Sequence, residues 1–221
     1  LEEAGFIEKI EEHTHQVGHC YRCKNIVEPY ISKQWFVRKE VARGSIDKTN
    51  EGLTQFFPPH WINSYNAWMG ELRDWCISRQ RYYGVPFPVW RCRGCGELIL
   101  ADEASLPVDP SETQPGKPCP VCGSTDFEPE TDIMDTWATS SVTPQIIGTV
   151  LEPLGIDAAE FDRRFRPMSL RPNAHDIIRT WAFYTIVRSL YLRDEIPWTD
   201  VLISGHALDP AGKKISKSKL K

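Results

Sequence analysis

The sequence predicts an α/β fold, a parallel sheet with a long crossover helix, interrupted by a small cysteine-rich insertion. Three observations carry this expectation. Residues 174–193 place Ile177, Ile178, Trp181, Ala182, Thr185, Ile186, Ser189 and Leu190 along one side at helical spacing. A short apolar run, Val201–Ser204, follows Pro197-Trp198 and leads into a loop rich in glycine and lysine. Strand, long helix, strand and phosphate-type loop in that order suggest a parallel sheet. Two Cys-x-x-Cys pairs, at 92/95 and 119/122, mark the insertion.

Taken in order, residues 1–19 form a polar lead-in of helix-like pattern. Gln34-Trp35-Phe36-Val37 is an aromatic and β-branched run that predicts a strand, and 39–50 predicts an exposed helix. Pro58-Pro59 ends what precedes it. From His60 to Gln80, Trp61, Tyr65, Trp68, Met69, Leu72, Trp75 and Cys76 recur near helical spacing, with Gly70 as a point of division. In this stretch Cys76 is expected to be a buried small hydrophobe. Tyr82–Trp90 predicts a strand broken by Pro86 and Pro88. Residues 105–118 are a loop of Pro, Ser and Thr. Asp132–Ser141 predicts a turn into a helix, and 142–167 an irregular or weakly helical stretch.

Composition narrows the function classes. At 221 residues the chain is one large domain or two small ones. Hydrophobic residues at 41% and charged residues at 25% fit a globular chain and not a disordered tail. No apolar run approaches the roughly 20 residues of a membrane-spanning helix. Lys+Arg of 26 against Asp+Glu of 30 gives −4, which argues against a general DNA-coating protein and leaves room for a local basic patch.

Six of the seven cysteines form three Cys-x-x-Cys pairs, a repetition that a secreted disulfide framework rarely shows. Two thiolates on a tight turn can face one ion, and Cys92, Cys95, Cys119 and Cys122 supply four, the number that closes a tetrahedral structural zinc site. Cys92-Arg-Gly-Cys95-Gly and Cys119-Pro-Val-Cys122-Gly carry the Gly or Pro that such turns need. Reduced surface thiols are the plain alternative. Cys20 and Cys23 form half of a second site, completed by His13, His15 or His19 or by a further part of a longer protein.

Lys214-Ile215-Ser216-Lys217-Ser218 follows a strand and a glycine loop. Alone it is an exposed tail. In context, residues 203–219 resemble the end of the nucleotide-binding fold of the class I aminoacyl-tRNA synthetases, whose signature loop reads Lys-Met-Ser-Lys-Ser. Asp74-Trp75-Cys76-Ile77-Ser78-Arg79-Gln80 and Tyr82-Tyr83-Gly84-Val85-Pro86 resemble a block shared by the valine, isoleucine and leucine enzymes. Asp132-Ile133-Met134-Asp135-Thr136-Trp137 resembles their Asp-x-x-Asp-x-Trp segment. Arg171–Trp181 is similar to the valyl version of the adenosine-site helix start, and Gln34-Trp35-Phe36 to the strand returning from the editing domain.

The resemblance implies the second half of a class I synthetase Rossmann-like fold with an inserted zinc ribbon. Residues 1–50 would return from the editing domain, 51–90 and 127–221 would be the catalytic half-domain, and 91–126 the ribbon. The implied activity is valine activation with ATP and magnesium, then transfer to tRNA(Val). By resemblance Lys214 and Lys217 are catalytic and contact ATP phosphates with Ser216, Lys217 most strongly, Asp176 binds the ribose, and Gly205 admits the adenine. Trp137, Ile177 and Trp181 would wall the valine pocket. Ordinary readings stand beside these: a helix cap for Asp176, a turn glycine for Gly205, core packing for the three apolar residues. Ile215 stands where the family has Met, and no His-Ile-Gly-His segment is present, as expected of a piece that starts after the editing insertion. Such a piece would be nearly inactive alone, monomeric and cytoplasmic, with no membrane or DNA partner. A non-catalytic zinc-ribbon module binding RNA or protein is the alternative from another class. An isoleucyl or leucyl enzyme is the alternative within the family.

Overall fold

The computed structural model describes residues 1–20 and 23–216. The chain divides into two units, Leu1–Lys33 and Gln34–Lys221. The first is irregular: a turn joins Gly5 N–H to the Glu2 carbonyl, and His19 and Ile26 form a single antiparallel bridge. The helix expected over 1–19 is absent; its apolar residues Leu1, Phe6, Ile10 and Val17 stay exposed, so no tertiary packing supports one.

The larger unit runs β1 (Phe36–Val37), α1 (Glu40–Lys48), β2 (Gln55–Phe57), α2 (Trp61–Gly70), β3 (Trp75–Cys76), β4 (Ser78–Arg79), β5 (Val89–Cys92), β6 (Leu98–Leu100), β7 (Phe127–Pro129), β8 (Ile133–Met134), α3 (Thr136–Ser140), α4 (Thr143–Leu151), α5 (Ala158–Phe165), β9 (Met168–Ala174), α6 (Phe183–Arg193) and β10 (Trp198–Ser204). The parallel sheet has the order β2-β10-β9. Its register pairs Val201 with Phe56 and Arg171, and Ser204 with Ala174. Period-two alternation turns Val201 and Ile203 into the core, while Leu202 points away. The core joins them to Tyr65 of α2, to Ile178 and Trp181, and to Ile186 and Val187 of α6.

Between Ala174 and α6 the chain makes one tight turn, His175–Ile177, and one wide turn, Ile178–Ala182, before regular α-helix begins. The single helix expected over 174–193 is therefore three helical forms in sequence. The predicted helix over His60–Gln80 stops at Gly70. Trp75–Arg79 is instead extended, pairing with β1 and β8. Cys76 is half-buried there, its Sγ 3.6 Å from Gln34 Oε1 and not in an apolar setting. Residues 142–167 hold two regular helices; Asp157 caps α5 by accepting from Glu160 N–H at 2.7 Å.

β6-β5-β7 is a separate antiparallel sheet over a small core of Trp90, Cys92, Cys119 and Phe127. The Trp90 indole N–H lies 3.1 Å from the Pro110 carbonyl and 3.0 Å from that of Thr113, which ties down the proline-rich loop. Paired β4 and β8 form the stem of this subdomain. Trp35 braces the stem, stacking on Phe87 at 5.4 Å and donating Nε1–H to Glu130 at 2.8 Å.

Candidate functional site

Open parallel sheets place ligands outside the carboxyl ends of their strands. Here β9 ends at Ala174, so His175 and Asp176 emerge there. β10 ends at Ser204, so Gly205 and His206 emerge beside them. The loop after β10 turns back as a short hairpin, Leu208 opposite Lys214. Asp209 Oδ1 accepts from the N–H groups of Ala211 and Lys213, and Gly212 at φ 74° closes the turn. This hairpin delivers Lys214 Nζ to within 2.8 Å of Asp176 Oδ2, with His206 Nε2 3.5 Å from the same oxygen. The Lys214 hydrogen bond holds the Asp176 carboxyl below its ordinary range, against the upward push of burial. His175 and His206 rings lie 4.5 Å apart, and Trp61 stacks on His175 at 5.6 Å. Gly205 is exposed with open space where a side chain would stand.

Sequence reasoning singled out Asp176, Gly205 and Lys214, and the structure brings Asp176 and Lys214 into contact across 38 residues of chain. Ser216 follows on the same loop, half-buried. Lys217 lies outside the described residues. His206 and His175 carried no spacing signal and went unnoticed. Of the apolar trio, Trp137 and Ile177 are half-buried and pack against the cluster that contains Trp181. Trp181 is 7% exposed, its indole stacked with Trp198 at 5.4 Å and covered by the Arg171 guanidinium at 3.7 Å.

The four ribbon cysteines form the second site. Cys92 N–H donates to the Glu97 carbonyl and Gly96 N–H to the Cys92 carbonyl; Cys119 repeats the scheme with Ser124 and Gly123. Gly96 at φ 78° and Gly123 at φ 71° occupy the same place in each turn. All four sulfurs lie within 4.8 Å of one another, with Cys92–Cys122 at 3.5 Å and Cys95–Cys119 at 3.6 Å. A tetrahedron with Zn–S bonds of about 2.3 Å has edges of about 3.8 Å, so the donor set fits zinc. Burial raises the Cys92 thiol, but donation from Cys95 N–H, the Cys122 thiol, Gly94 N–H and the Cys119 thiol outweighs it and leaves it lowered to about 7. Among the described residues no other group of three or more His, Cys, Asp or Glu converges in this way. Cys20 and Cys23 nonetheless sit on a third turn of the same scheme: Cys20 N–H to the Asn25 carbonyl, Lys24 N–H to the Cys20 carbonyl, Lys24 at φ 63°.

No helix among the described residues is long and apolar enough to cross a membrane. Residues 9–221 match the family of tRNA synthetases class I (I, L, M and V). The chain is 46% identical over 221 residues to a valine--tRNA ligase of Thermoplasma volcanium, covering 99% of this chain and 27% of that protein. It is 43% identical to the valine--tRNA ligase of Nitratiruptor, over 99% of this chain and 24% of that protein. The chain thus spans about a quarter of the length of the curated relatives it matches. A LeuRS from Agrobacterium radiobacter, solved as a ternary complex with tRNA and LeuAMS, superposes with TM-score 0.53 at 27% identity over 66% of this chain and 21% of that one. With the motifs in order along the chain and Asp176 facing Lys214 at the strand ends, the chain belongs to the class I tRNA synthetases of the isoleucine, leucine, methionine and valine group.

Proposed function

We propose that this chain is the part of a valine–tRNA ligase catalytic domain that follows the editing insertion, supplying one wall of the ATP and valine sites. The observation that carries the reading is the meeting of Asp176, His206 and Lys214 at the carboxyl ends of β9 and β10. Joining a carboxylate to the α-phosphate of ATP needs little covalent help from protein; it needs positioning and a cation facing the pyrophosphate as it leaves. Lys214 carries that cation on a flexible stem, at the end of a hairpin. Asp176 carries a carboxylate that accepts from two ribose hydroxyls. Without nucleotide the two groups neutralise each other, and ATP exchanges their mutual pair for two polar contacts of its own. Ser216 adds a hydroxyl to the phosphate contacts, Lys217 is assigned a phosphate contact by resemblance alone, Gly205 leaves room for the adenine, and magnesium arrives with ATP.

Trp137, Ile177 and Trp181 form the valine wall. One extra methylene changes discrimination by only about 1–3 kcal/mol, so rigidity matters there, and the contacts of Trp198 and Arg171 with the Trp181 ring restrict its movement. Cys92, Cys95, Cys119 and Cys122 hold a structural zinc in the 91–126 ribbon, and Cys20 and Cys23 supply half of a second site in the 1–50 segment. Residues 51–90 and 127–221 form the catalytic half-domain. Phe57, Leu170 and Leu202 are exposed on the outer face of the parallel sheet. Parallel sheets are covered on both faces, which supports a larger parent fold that packs there. The parent acts on valine, ATP and tRNA(Val) as a cytoplasmic monomer. In the full-length enzyme, Lys214→Ala is expected to lower valine-dependent ATP–pyrophosphate exchange about 100- to 1,000-fold with the KM for valine little changed. Unchanged exchange refutes the assignment. The 221 residues alone are expected to give little or none.

A further inference from the structure

The proposed reaction leaves His206 without a task, although it lies at the centre of the site. Its Nε2 stands 3.5 Å from Asp176 Oδ2, the same oxygen that takes Lys214 Nζ at 2.8 Å. The lysine bond is made and the imidazole bond is not, since N–H···O bonds form at about 2.7–3.2 Å. Lys214 is the freer of the two partners: its side chain is 55% exposed, on a four-carbon stem at the end of a hairpin. His206 is the fixed one, its side chain 18% exposed. Its ring lies 4.5 Å from that of His175, which stacks on Trp61 at 5.6 Å with the planes 18° apart. Trp61 opens α2 and packs against the main core. This column of three rings ties the imidazole to the body of the fold through a helix that does not carry the hairpin. Asp176 has no such anchor of its own. It sits on the tight turn after β9 with its side chain 40% exposed, and among the described residues Lys214 and His206 are the two side chains that meet its carboxylate.

When Lys214 turns to the phosphates of ATP, Asp176 loses its 2.8 Å partner. A half-exposed carboxylate released in this way gains rotational freedom, and the ribose would have to fix it again at an entropic cost. An imidazole already 3.5 Å away can instead close onto Oδ2 through Nε2–H, leaving Oδ1 to accept from a ribose hydroxyl. We propose that His206 is a positioning residue: it takes over Asp176 Oδ2 as Lys214 leaves for the phosphates, and so keeps the carboxylate aimed at the ribose. His175 and Trp61 hold the ring in place for this hand-over. The inference rests on the valine–tRNA ligase reading and deepens its ribose site, adding a residue that acts on the nucleotide through Asp176.

The test uses the full-length enzyme and compares ATP with its 2′-deoxy and 3′-deoxy analogues in valine-dependent pyrophosphate exchange. The readout is the preference for ATP, a ratio of kcat/KM values within one preparation, so any loss of folded protein cancels. The unaltered enzyme is expected to prefer ATP over at least one analogue by about 10-fold or more, the factor for one hydrogen bond to a charged acceptor. Asp176→Asn is expected to lose most of that preference. His206→Ala is expected to lower it at least about threefold and to raise the KM for ATP, with the KM for valine little changed. His206→Phe keeps a ring against His175 without a donor and is expected to match His206→Ala, whereas His206→Gln restores an N–H and is expected to recover the preference to within about twofold. In Asp176→Asn, adding His206→Ala is expected to lower the preference no further, because the two residues act through one group. A full preference in His206→Phe overturns the inference, whatever His206→Ala does. An equal fall with ATP and both analogues overturns it too, since a merely structural role has that effect. A preference that Asp176→Asn leaves intact, or no valine exchange in the unaltered enzyme, instead fails the underlying reading, and the inference with it.

Discussion

Gly84→Ala probes the stem that carries the exposed Tyr82 and Tyr83. A Cβ at position 84 would stand 2.2 Å from Ile133 Cδ1, 3.1 Å from Cγ1 and 3.2 Å from Cβ. Carbon–carbon contacts settle at about 3.5–4.0 Å, so the Ile133 terminus must move by about 1.3 Å or more. Ile133 is only 9% exposed and is paired through its backbone to Arg79 and Pro86, so little space receives it. Overpacking of this kind costs about 1–3 kcal/mol. At about 2–4 °C per kcal/mol for a chain of this size, thermal unfolding of the 221 residues is expected to shift down by about 2–12 °C. Ile133→Val removes the offending methyl and alone costs about 0.5–1.5 kcal/mol. The double variant should therefore be more stable than the sum of the singles by at least about 0.5 kcal/mol. Differential scanning fluorimetry on all four proteins reads the cycle. An unaltered midpoint in Gly84→Ala, or strictly additive costs, would refute the claim that contact with Ile133 is what demands glycine here.

Metal analysis of the purified chain should find one zinc for the ribbon and at most one more for the Cys20 turn; Cys119→Ser should lose the ribbon zinc and release the Trp90 core, seen as a red-shifted tryptophan emission. The Asp176–Lys214 pair gives a pH signature. Because the Asp176 carboxyl is depressed, its contribution to docking the 207–215 hairpin is full above the ordinary carboxylate value and lost as pH falls through the lowered one. Carbon-detected NMR of the Asp176 carboxyl should show a midpoint below that ordinary value, rising toward it in Lys214→Met; the same midpoint in both proteins would remove the pairing.

Legibility followed the range of the physics. The Cys-x-x-Cys turns were readable because everything they need is within six residues: two thiols, and a residue tolerant of positive φ such as Gly96 or Gly123. The helix over 183–193 was readable from its apolar period. Strand β9 was not, since Arg171-Pro172-Asn173 interrupts any alternation; Pro172 is tolerated because β9 is an edge strand of the sheet among the described residues. The segment 142–167 hid two helices because their apolar faces serve local packing, with Gly148 close against the backbone of Ala158.

The sequence alone determined the ingredients: the sulfur donors in paired turns, a lysine loop after an apolar strand, and ordered motifs that resemble one family of synthetases. Those are local patterns, set by side-chain chemistry at short separations. Only the tertiary structure decided which ingredients meet. Parallel register between β9 and β10 sets Ala174 beside Ser204, and from that single pairing Asp176 and Lys214 reach contact and His206 joins them. It also buried Trp181 against Trp198 and Arg171 and left Tyr82 and Tyr83 in water, a distinction that no spacing rule separates. Burial and long-range contact depend on which surfaces the whole chain brings together, and that information is not carried by any one segment.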